Sequence, residues 1–97
     1  MSAFGYFQPA LDEIDEALAY YQAIDPMLCS RLTNDIEQAL SAIAHMPECW
    51  KSIGGGLRQK RLKAFPFLMN YLVRDDKIWI VAFAHTHRKP NYWRDRL

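Results

Sequence analysis

The sequence predicts an α+β domain in which a short N-terminal strand and an antiparallel helix hairpin pack on an antiparallel sheet of three to four strands. Three observations predict it. Two amphipathic helical patterns meet at Asp25-Pro26, three β-patterned runs follow residue 56, and 97 residues suffice for one hydrophobic core but not two. Residues 1–97 are therefore read as a single domain. A composition of 51% hydrophobic and 24% charged residues, with only 4 glycines, excludes a disordered or collagen-like chain.

Residues 3–8, AFGYFQ, are aromatic-rich and run into Pro9, as a short strand does. Pro9 suits the first turn of a helix, where its missing N–H costs nothing. Over residues 10–24, Leu11, Ile14, Leu18 and Tyr21 recur at spacings of three and four, while Asp12, Glu13, Asp15 and Glu16 fill the other face. These carboxylates lie near the positive end of the helix dipole, so they require no catalytic role. Asp25-Pro26 reads as an N-cap followed by the first residue of a second helix. That helix spans residues 26–45, with Leu28, Leu32, Ile36, Leu40 and Ile43 as its apolar stripe and Pro47 beyond its end. So short a connection makes the helices an antiparallel hairpin.

Residues 48–56 read as a loop whose Gly54, Gly55 and Gly56 form a flexible hinge; the Lys-Ser/Thr pair of a phosphate-binding loop is missing. Strands follow at 57–63, 67–74 and 77–87, with Arg74-Asp75-Asp76-Lys77 as a hairpin turn. The run 78–84 is apolar nearly throughout, as in a central strand covered on both faces. The strand at 57–63 carries bases on both faces, which places it near an edge or beside a groove. No segment approaches a membrane span and the opening residues lack a basic n-region, so a cytoplasmic location without a membrane partner is expected. Cys29 and Cys49 form no CxxC motif and read as buried or incidental thiols.

The formal net charge of +1 conceals a separation. Residues 1–49 sum to −7 and residues 50–97 to +8, so the helices are acidic and the sheet and tail basic. A basic surface suits phosphates or an acidic protein partner.

Three groups are candidates for chemistry. Arg58, Lys60, Arg61 and Lys63 crowd one strand; alternation points Arg58 and Lys60 one way and Arg61 and Lys63 the other, and either pair can clamp a phosphodiester or meet an acidic partner. The plain alternative is a solvated edge strand protected by its charges. His85 and His87 stand at alternate positions before Arg88, an arrangement suited to acid/base work on a ribose hydroxyl with a cation on the phosphate. No third ligand accompanies them, so neither a metal nor another cofactor is expected. Tyr92 and Trp93, beside arginines, either stack on a partner or fold the tail onto the core.

This order of elements resembles the RelE/ParE superfamily, the toxins of type II toxin–antitoxin and plasmid-stabilisation systems. The resemblance covers nearly the whole chain and rests on residues 9–14 (PALDEI), 42–48 (AIAHMPE), 57–67 (LRQKRLKAFPF) and 82–90 (AFAHTHRKP) with Trp93. It implies a cognate antitoxin as partner, with operator DNA engaged only through that antitoxin. It also implies one of two targets: DNA gyrase for ParE-like members, or mRNA on the ribosome, cut without a metal, for RelE-like ones. Phe65-Pro66-Phe67 and the His-x-His-Arg ending look like the ParE-like branch. On the ribonuclease branch, Lys60, Arg61 and Lys63 match the basic strand, Arg88 the arginine after the last strand, and Tyr92 the C-terminal tyrosine. The arginine expected at the start of the following strand is absent, since Phe67, Leu68 and Met69 stand there. Catalysis would then fall to Lys60, Arg61, His85, His87 and Arg88. Under gyrase inhibition, Arg58, Lys60, Arg61, Lys63, Arg88, Tyr92 and Trp93 are the expected binding residues for target or antitoxin. An inactive, antitoxin-binding relative is a third possibility.

Overall fold

The protein, described here over residues 3–97 from a computed structural model, is built on one five-stranded sheet. In chain order come β1 (Ala3–Tyr6), α1 (Gln8–Ile24), α2 (Pro26–His45), β2 (Lys51–Gly54), β3 (Leu57–Arg61), β4 (Phe67–Arg74) and β5 (Lys77–His85). The strands lie side by side as β1-β5-β4-β3-β2. β1 runs parallel to β5, with Phe4 opposite Ile78 and Tyr6 opposite Ile80, and every other junction is antiparallel. The expected α+β class is found, with one strand more than the sequence suggested.

Asp25 alone joins the helices. Its extended backbone breaks α1, and its carboxylate accepts the Met27 N–H at 2.9 Å to start α2, while Pro26 occupies the first helical position. The helices cover one face of the sheet, where Ala10, Leu32, Ile36 and Ile43 meet Met69, Tyr71, Ile78 and Ile80, all buried. The opposite face is covered by the C-terminal segment, with Trp93 seated over Leu57, Leu72, Val81 and Ala82. β5 is thus apolar on both sides, as its sequence requires.

A β-bulge accounts for one irregularity in that apolar run. Asn70 pairs with Ala82 and Tyr71 with Ile80, which leaves Val81 as the extra residue and turns Val81 and Ala82 to the same face.

The segment 48–56 is not a hinge. Residues 51–54 form the outermost strand, and Gly54, Gly55 and Gly56 have φ of 88, 63 and 78°, the left-handed conformation that closes a tight hairpin onto β3. A four-residue strand with no apolar alternation left no periodic signal to read. With β2 outside it, β3 is an interior strand and not an edge. The last strand ends at His85, two residues early: the Thr86 N–H still donates to the Pro66 carbonyl in register, but proline has no N–H to return and the pairing stops there. The Asp75-Asp76 turn is as expected, both residues taking positive φ. Both cysteines are free thiols, Cys49 exposed and Cys29 partly so.

Candidate functional site

β1 stops at Tyr6 while β5 continues to His85, so the last turn of pairing on that side of β5 is left open. Side chains close it. The Phe83 N–H donates to Glu13 Oε1 (3.1 Å), and Arg96 Nη1 donates both to the Val81 carbonyl (3.1 Å) and to Glu13 Oε1 (2.8 Å). Arg96 Nη2 reaches Glu13 Oε2 at 3.1 Å, making the pair two-pronged, and the Tyr92 hydroxyl donates to the same Oε2. An acid from α1 and a base from the tail thus stand in for strand pairing.

Burial alone would push the Glu13 carboxyl up; hydrogen bonds from Arg96, Tyr92 and the Phe83 N–H outweigh it and hold the carboxyl below the usual carboxylate range. Burial, then the bond to Glu13, pushes the Tyr92 phenol up to about 12, so it remains a neutral donor. Guanidiniums of Arg88 and Arg96 lie over the Tyr92 ring, 4.1 and 5.2 Å from its centre. The sequence reading treated Glu13 as one of four dipole-facing acids and missed this role. A signal existed: Glu13 stands three residues after Ala10 and four before Ala17, both buried, so it shares their inward face.

Beside this anchor a groove of about 440 Å³ opens between α1 and β5, lined by Glu16, Tyr20, Tyr21, Phe83, His85 and Arg88 among others. The two histidines meet at its end despite His87 lying past the strand. Their rings are 5.4 Å apart and the His87 N–H donates to His85 Nδ1 at 3.1 Å. A neutral His85 held so carries its proton on Nε2. His85, Arg88 and Tyr92 also border a second cavity of about 330 Å³, between the tail and the face of β3 and β4 turned away from the helices. Arg94 closes its far side through bonds to the Ile53 carbonyl (2.9 Å) and Asn91 Oδ1 (3.0 Å), with its guanidinium 4.8 Å from the Trp93 ring. Trp93 is 4% exposed, so it fastens the tail to the sheet.

The bases of β3 lie elsewhere. Arg58 donates to the Trp50 carbonyl at 2.9 Å, and Lys60 sits 4.4 Å over the Trp50 ring, which itself donates to the Ala42 carbonyl at the end of α2. Lys60, Arg61 and Lys63 border a third, smaller cavity of about 120 Å³ with Asp35 and Trp50. Asp35 is a buried carboxylate that accepts three consecutive backbone N–H groups, of Lys63 (3.1 Å), Ala64 (2.8 Å) and Phe65 (3.0 Å), and so fixes the turn between β3 and β4. Of the predicted site residues, His85, His87, Arg88 and Tyr92 are brought together. Arg58, Lys60, Arg61 and Lys63 border neither cavity that contains His85 and Arg88. Among the described residues no three His, Cys, Asp or Glu side chains converge as a metal site would need, and no helix is long and apolar enough to cross a membrane.

Comparison with known proteins bears on this arrangement. Residues 6–90 match the family model described as "ParE toxin of type II toxin-antitoxin system, parDE". Among solved structures, the fold is similar to a chain of the "Chromosomal ParDE TA system from P. aeruginosa", with a TM-score of 0.76 and 18% identity over 90% of this chain and 98% of that one. No curated protein sequence matches the chain.

Proposed function

Because this chain belongs to the ParE toxin family of type II toxin–antitoxin systems, we propose that it acts in the cytoplasm by inhibiting DNA gyrase and is neutralised by a cognate antitoxin. In this reading the toxin meets operator DNA only through that antitoxin. The observation that favours protein binding over RNA cleavage is the separation of the two basic groups. Metal-free cleavage of a phosphodiester needs acid/base groups and cations around one phosphate. Here Arg58 and Lys60 are engaged with Trp50, away from the cavities that hold His85 and Arg88.

A supercoiling assay with purified gyrase tests this. Added toxin is expected to lower supercoiling and added antitoxin to restore it; unaffected gyrase would overturn the reading. The clustered His85, His87 and Arg88 favour a second reading, an mRNA-cleaving toxin, and it predicts cut transcripts when ribosomes are supplied. In that case His85→Ala and Arg88→Ala should abolish cutting. If expression leaves growth unchanged and neither assay responds, the chain is an inactive antitoxin-binding relative.

A further inference from the structure

The cavity beneath the tail has a floor of two amides. Gln59 of β3 donates from Nε2 to Asn70 Oδ1 at 3.0 Å, while Asn70 Nδ2 has no partner, although Asn70 is only 1% exposed. A buried donor without an acceptor is costly, and such a group is normally paired in a folded protein. Gln59 uses the Asn70 oxygen, whereas among the described residues nothing accepts from the Asn70 NH2 group, and its same-face neighbour Leu72 is apolar. In this fold the donor is left for an acceptor from outside the chain, a water or a ligand oxygen.

The walls indicate what kind of group that is. Arg88, Lys89 and Arg94 stand around the cavity together with His85, and among the described residues no acidic side chain borders it. An anion is therefore attracted to the cavity, and one acceptor oxygen at its floor would satisfy Asn70. A nucleotide would ask for an aromatic face on which to stack its base. Neither aromatic of the tail is free: two guanidiniums already lie against Tyr92, and Trp93 is buried with Arg94 over it. A carboxylate on a peptide needs no such face.

We propose that this cavity is a receptor for an acidic side chain of a protein partner, its carboxylate accepting from Asn70 Nδ2 within the ring of Arg88, Lys89 and Arg94. The site does not depend on which protein the toxin inhibits. A peptide entering there would rest against Leu68, Ala84 and Pro90, the apolar part of the lining.

The Asn70 side-chain NH2 group reports directly on this. ¹⁵N-labelled protein is titrated with acetyl-Glu-Leu-Glu-amide, acetyl-Gln-Leu-Gln-amide and uridine monophosphate while the Asn70 side-chain resonances are followed. The acidic peptide should move them saturably and bind at least tenfold more tightly than the glutamine peptide. Lys89→Glu, at an exposed position, should weaken the acidic peptide at least tenfold with the fold intact, and Asn70→Leu should abolish binding. Unmoved Asn70 resonances, equal response to the two peptides, unchanged binding by Lys89→Glu, or tighter binding of uridine monophosphate at Asn70 would each overturn the proposal.

Discussion

Glu13 and Arg96, 83 positions apart in sequence, form a two-pronged ion pair at 2.8 and 3.1 Å across the open end of β1. The pair satisfies the carbonyl of the bulged Val81 and the N–H of Phe83 just beyond it, so it serves the sheet as well as the tail. Glu13→Gln leaves the Arg96 guanidinium without its counter-charge, and loss of Arg96 leaves the Glu13 carboxylate unpaired and the Val81 carbonyl without its donor. Glu13→Gln and Arg96→Ala are each expected to cost about 2–3 kcal/mol in urea unfolding. The double variant should lose less than the sum, and strict additivity would show that the two residues act independently.

The same carboxylate sets an acid limit. Its folded value lies below the unfolded one, so between the two the unfolded chain binds more protons. Its contribution is complete above the ordinary carboxylate pKa of about 4.3 and is lost as pH falls through the lower folded value. Urea midpoints measured from pH 6 to 3 should fall, and Glu13→Gln should flatten the acid limb.

An alkaline limit follows from two phenols. Burial pushes both Tyr71 and Tyr92 up to about 12, and each hydroxyl donates a hydrogen bond, to the Pro47 carbonyl and to Glu13 respectively. The unfolded phenols ionise near pH 10, so stability is full below that value and declines as pH rises toward 12. Tyr92→Phe and Tyr71→Phe should each reduce the steepness of that decline.

At Asp35 the prediction concerns geometry. Asparagine keeps the volume but turns an NH2 group toward a backbone N–H, so at least one of the three bonds is lost and replaced by a donor–donor clash. Asp35→Asn should destabilise by about 2–3 kcal/mol. Faster hydrogen exchange at Lys63, Ala64 and Phe65 would localise the effect, and unchanged exchange there would count against it.

Gly5 lies opposite Trp79 in the β1–β5 register, and a Cβ there would come within 2.7 Å of two indole carbons. Alanine must push the indole off the strand. Gly5→Ala is expected to cost about 1–3 kcal/mol and to alter tryptophan fluorescence.

Most of the architecture was legible because its signals are periodic or chemically sharp. Asp25-Pro26 marks both a helix end and a helix start, the apolar run of β5 requires cover on two faces, and the Asp75-Asp76 turn stands between two strongly apolar strands. β2 was not legible, since KSIG carries no alternation; backbone pairing with β3, the packing of Ile53 beside the Trp93 cluster and the Arg94 bond to the Ile53 carbonyl hold it, and none of these is periodic in sequence. The histidines and arginine at the end of β5 could be grouped from sequence because they are neighbours in the chain. The anchor at Glu13 could not be paired with Arg96 that way, and only the buried alanines around it hint that it faces inward. Asn70 gave no signal at all, being one polar residue in an apolar strand whose partner, Gln59, lies across a sheet junction.

The parallel pairing of β1 with β5 joins Ala3 to Lys77 and Tyr6 to Ile80, so the first strand has nothing to pair with until the last one exists. On a ribosome the N-terminal strand and the helix hairpin emerge long before their sheet, with apolar stripes left for the later strands to cover. Folding therefore closes late in synthesis, after a loop of some seventy residues has been drawn together. The nascent chain stays unassembled until β5 has been made, and a chain released before that point lacks the partner of its first strand.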